Sequence, residues 1–106
     1  MNIQPISSNT FGAKLVPNIY SLTKDEGMLK QFSRRTEKYP DLMMVQGKTS
    51  FVSSDLFRLY KDGHEIARAS EPCQRLLLRN PETYLNRYLE IFNLLVEKAE
   101  KSGHNL

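Results

Sequence analysis

The residues best able to do chemistry in this chain are few. Cys73 is the single cysteine, and His64 and His104 are the two histidines. A cysteine nucleophile needs a thiolate, a base within hydrogen-bonding reach and a third group that orients the base. His64 could supply the base, and Arg75 beside the thiol would lower its pKa. No residue in the pattern offers the third group. Cys73 therefore reads as a small, half-buried residue next to Pro72. Zinc sites draw about four ligands from closely spaced Cys and His. Here those residues are scattered. His64 follows the turn glycine Gly63 and His104 lies near the end of the sequence, so both read as surface residues.

Among the carboxylates, Asp25 and Glu26 suit helix capping and Asp62 suits a turn. Asp55, in a β-like stretch, is the one least explained by local structure. The phosphate-cradling glycine loops, the zinc-binding helix motif and the strained serine elbow are all missing from the sequence. The expectation is a protein that is not an enzyme, with no cofactor and no metal.

The basic residues form a pattern of their own. Lys30, Arg34 and Lys38 stand one helical turn apart, with Arg35 on the flank. Such a ridge can grip phosphates, which gives an alternative reading as a nucleic-acid or phosphate-ligand binder. Glu26 can pair with Lys30, and Glu37 interrupts the row, so a solvated helix face is the preferred reading. The net charge of +3 is mild. Tyr60 beside Arg58 is the nearest approach to the aromatic platform that single-strand binders use.

The strongest periodicity lies near the end of the chain. Asn80 can cap a helix, Pro81 suits its first position and Glu82 suits its positive end. Leu85, Tyr88, Leu89, Phe92, Leu95, Val96 and Ala99 then recur at three and four residues. Gly103 is the natural stop. A second row, Tyr84, Tyr88, Ile91 and Leu95, runs beside the first, with Leu94 outside the main seam. A helix this apolar must bury two sides. One side can meet a sheet; the other meets the first helix or a partner. Tyr84, Tyr88, Ile91, Leu94 and Leu95 are thus the candidate protein interface. They point to a small interaction or self-association module, a homodimer included.

Other elements follow from local signals. Thr23-Lys24-Asp25-Glu26 is a capping box that opens a helix over about 24–38, and Tyr39-Pro40 closes it. A short strand falls within Phe11–Ile19, limited by Pro17. Leu42–Val45 suits a strand that Gly47 ends or bulges. Asp62-Gly63 marks a hairpin joining 55–60 to 64–69. Ser70-Glu71-Pro72 should break the second arm, and Cys73–Arg79 suits a helical turn. Residues 1–10 read as a loose tail and 11–106 as a single α+β domain. The expected fold is a small antiparallel sheet of about three to four strands packed by two helices, about 24–38 and 81–102. No apolar run nears the roughly 20 residues that cross a bilayer. Met1–Pro5 does not resemble a secretory signal. With one cysteine, the expected compartment is the cytoplasm.

Overall fold

The computed structural model describes residues 12–17, 26–48, 54–72 and 81–106. Several expected features lie outside those residues: the tail 1–10, most of the capping box, Cys73 with its neighbouring arginine, and the Asn80 cap. The described elements are β1 (Lys14–Val16), α1 (Glu26–Arg35), β2 (Leu42–Lys48), β3 (Ser54–Lys61), β4 (His64–Pro72) and α2 (Pro81–Lys101). They form an α+β domain with a four-stranded sheet in the order β1-β2-β3-β4. The sheet is mixed. β1 pairs parallel to β2 across the α1 crossover, whereas β2-β3 and β3-β4 are antiparallel. The expected all-antiparallel sheet is corrected on this point, because a helix between two strands returns the chain in the same direction.

The hairpin forms where the sequence placed it. Asp62 and Gly63 have φ of 52° and 81°, as a type I′ turn requires at both central positions. Two strand limits differ from expectation. Gly47 stays in register opposite Leu56 and neither ends nor bulges β2. Pro72 does not break β4, which runs through it; proline is tolerated because β4 is an edge strand among the described elements. The irregularity falls instead between Leu59 and Tyr60, where Ile66 is the extra residue on β4. As a result Ile66 and Ala67 both pack against the core.

Both helices cover one face of the sheet. Leu15, Leu42, Met44, Phe57 and Leu59 point into it and are buried. Phe32 of α1 meets Phe92 of α2 edge to face at 5.5 Å between ring centroids, and Tyr39 meets the same ring at 5.7 Å. Such pairs add about 1 kcal/mol beyond their burial. Helix α1 stops at Arg35 rather than near residue 38. The Thr36 hydroxyl donates to the Phe32 carbonyl at 2.8 Å and accepts the Ala13 amide at 2.9 Å. The Ser33 hydroxyl likewise accepts the Gly12 amide at 3.1 Å. The end of α1 is thereby fastened to the start of β1.

Helix α2 ends in a Schellman motif. The Gly103 amide donates to the Glu100 carbonyl and the His104 amide to the Ala99 carbonyl, each at 3.0 Å, with Gly103 at φ 97°. No described helix is long and apolar enough to cross a membrane.

Candidate interaction surface

Alternation along the strands sends a second set of side chains to the face opposite the helices. They line up in rows across the sheet. One row is Val16, Val45, Arg58 and Arg68; the next is Lys14, Met43, Tyr60 and Glu65. Leu56 lies on the same side, across from Gly47 and Ser70. No described element covers this face. Met43, Val45, Leu56 and Tyr60 are half-buried, and Val16 is 38 % exposed. The helices, in contrast, bury nearly every apolar residue on the other side.

The charges on this face bind one another. Arg58 and Arg68 stand directly opposite across β3 and β4, an arrangement that repels. Glu65 relieves it. Its carboxylate accepts from Arg68 Nε at 2.6 Å and from Arg68 Nη2 at 2.9 Å, and lies 3.6 Å from Arg58 Nε. The Arg68 hydrogen bond is the main reason the Glu65 carboxyl sits below its ordinary value of 4.5, with the nearby positive charges adding to the effect and burial opposing it. A lowered carboxyl pKa means that the trio favours the fold above pH 4.5, and this contribution fades as pH falls through the lowered value. Followed by NMR, the Glu65 side chain should titrate below 4.5 in the native protein and return toward it in Arg68→Ala. An unchanged midpoint in the variant would show that the guanidinium does not hold the carboxylate.

The residues singled out on α2 sit elsewhere. Tyr84, Tyr88, Ile91 and Leu95 are 0–6 % exposed and belong to the core that α1 and the sheet share. They are therefore corrected: the first helix and the sheet cover the second side of α2, so these four offer no open surface. Leu94 alone points out, at 46 % exposure. On α1, Lys30, Arg34 and Arg35 are exposed. Lys38 is exposed too, but it lies in the turn after the helix, so the ridge loses its third step.

Asp55 is buried and engaged. The Tyr88 hydroxyl donates to Gln46 Oε1 at 2.6 Å, and Gln46 Nε2 donates to Asp55 Oδ2 at 3.1 Å. This relay ties α2 to β2 and β3, and gives the carboxylate a structural task. His64 and His104 are both exposed. Among the described residues no three His, Cys, Asp or Glu side chains group closely enough to hold a metal ion. The described residues form a two-layer α+β domain with one sheet face that no described element covers. No family model, no curated protein sequence and no solved structure matches this chain.

Proposed function

We propose that the protein is a non-enzymatic module that self-associates, and that it does so through the free face of its sheet rather than through α2. The observation that supports this is the uneven covering of the sheet. One face lies beneath both helices, while the other carries Met43, Val45, Leu56 and Tyr60 with no described element over them. An apolar patch of this kind, rimmed by polar groups, marks contact sites on soluble proteins. The occupant we assign is a second copy. Glu65 pairs with Arg68 and lies 3.6 Å from Arg58 within the chain, which leaves Met43, Val45 and Leu56 as the apolar part of the face that a second copy can cover. Two such faces can meet in an isologous contact, the commonest way that soluble proteins pair. Sheets packed face to face interdigitate side chains across about 10 Å, which suits rows of valine, methionine and leucine.

Light scattering on a sizing column tests this directly. The wild-type protein should run at twice the chain mass at high concentration. Leu56→Glu, which puts a carboxylate in the centre of the apolar patch, should return it to the monomer with its circular dichroism unchanged. Leu94→Glu on α2 should leave the dimer intact. A wild-type monomer throughout the accessible concentration range sinks the proposal.

A further inference from the structure

The chain has four methionines. Met1 lies outside the described residues. Met28 and Met44 sit in the core at 5 % and 0 % exposure. Met43 parts from them by alternation. Strand β2 sends Met44 beneath the helices and Met43 to the opposite face, where it is half-buried. Its cross-strand neighbours there are Lys14 on β1 and Tyr60 on β3. Val45, two residues along β2, shares that face. Because β2 is an interior strand, Met43 stands within the sheet face rather than at its margin. Of Met43, Val45 and Leu56, only the thioether reacts with a mild oxidant.

We infer that Met43 is a redox-sensitive modification site: a peroxide converts its thioether to the sulfoxide, and the sulfoxide releases the second copy from the sheet face. This rests on the face-to-face pairing proposed above. In the step, a lone pair of Sδ attacks one oxygen of hydrogen peroxide, the O–O bond breaks, and the other oxygen leaves as water after proton transfer. The sulfur is oxidised by two electrons and the peroxide is reduced. A flexible apolar side chain thereby becomes a polar one. Closing two faces over it buries a strong acceptor among valine and leucine side chains, which is unfavourable without a hydrogen-bond partner. A two-fold contact uses the same patch on both copies, so the effect counts twice in each pair. Met28 and Met44 meet peroxide only when the domain opens.

The test treats the intact protein with hydrogen peroxide at low protein concentration. Mass spectrometry with fragmentation separates Met43 from Met44, and light scattering reads the mass. Met43 should be modified before Met28 and Met44, and more slowly as the protein concentration rises toward pairing. The Met43 sulfoxide should weaken pairing about tenfold. Methionine sulfoxide reductase with a dithiol reductant should restore it. Met43→Leu should pair and ignore peroxide, which also sets aside oxidation of Cys73. Met43→Gln, a polar side chain of similar length, should weaken pairing with no oxidant present and with circular dichroism unchanged. Oxidation of Met28 or Met44 as fast as Met43 overturns the inference. So does a dimer that the Met43 sulfoxide leaves intact, or a Met43→Leu dimer that peroxide still splits. Those three outcomes leave the pairing itself standing. An untreated protein that stays monomeric at every concentration removes the pairing, and this inference with it.

Discussion

Replacing Phe92 with alanine should cost about 3–5 kcal/mol of stability, the range for removing a fully buried phenylalanine. Phe92 is 0 % exposed and is the ring on which Phe32 and Tyr39 both stand edge to face. It therefore joins α1, α2 and the α1-β2 connection at one point. Truncation removes the transfer energy of the ring, leaves a cavity that close-packed neighbours refill only in part, and abolishes both aromatic contacts. Domains of this size are stable by only about 5–15 kcal/mol, so the loss is a large fraction of the total. Thermal denaturation should show a midpoint lower by roughly 15 °C or more. Urea titration should place the change in the transition midpoint rather than in its slope. A loss under about 1 kcal/mol would mean that the two helices do not meet at this ring.

Gly12 should be as intolerant, for a different reason. A Cβ built on it would lie 2.3 Å from the carbonyl oxygens of both Ser33 and Thr36. Those are backbone atoms at the end of α1, so no side-chain rotation relieves the clash. The chain must move, and the Gly12 and Ala13 amides then lose the Ser33 and Thr36 hydroxyls. Gly12→Ala should cost about 3 kcal/mol, at the upper end for overpacking. Gly47→Ala is the internal comparison: its nearest contact would be the Leu56 carbonyl at 3.7 Å, ordinary van der Waals distance. Urea unfolding of the two variants side by side should separate them clearly. Near-equal midpoints would show that β1 does not seat on α1 through Gly12.

Much of the fold was readable from local chemistry. Asp62-Gly63 sets the hairpin because few residues accept positive φ, and Pro81 to Gly103 bounds the last helix for equally local reasons. What could not be read was long-range. The apolar width of α2 required two buried sides, but spacing alone does not say which element covers the second; α1 does, through Phe32. The parallel place of β1 depends on the Gly12 approach to α1, a contact between residues far apart on the chain. The free sheet face was hidden because Leu42-Met43-Met44-Val45 is apolar at every position, so alternation leaves no mark. Tyr60 beside Arg58 was visible as an exposed pair; that Glu65 joins them, and that Met43 and Leu56 share their face, required the register. Of the basic ridge, Lys30 and Arg34 keep their spacing on α1. Thr36, whose hydroxyl turns back into the helix end, removes Lys38 from it.

The margins of the sheet decide what kind of assembly it can enter. β1 is three residues long and runs into Pro17; β4 is kinked at Ile66 and closes on Pro72. Neither offers a long flat row of amides and carbonyls to a neighbouring strand, the geometry through which sheets extend without limit. Contact through the face is of another kind. It consumes the same patch on both molecules and leaves no copy of it for a third. Under the proposed face-to-face contact, association is therefore finite: it would close at two rather than grow into a fibre.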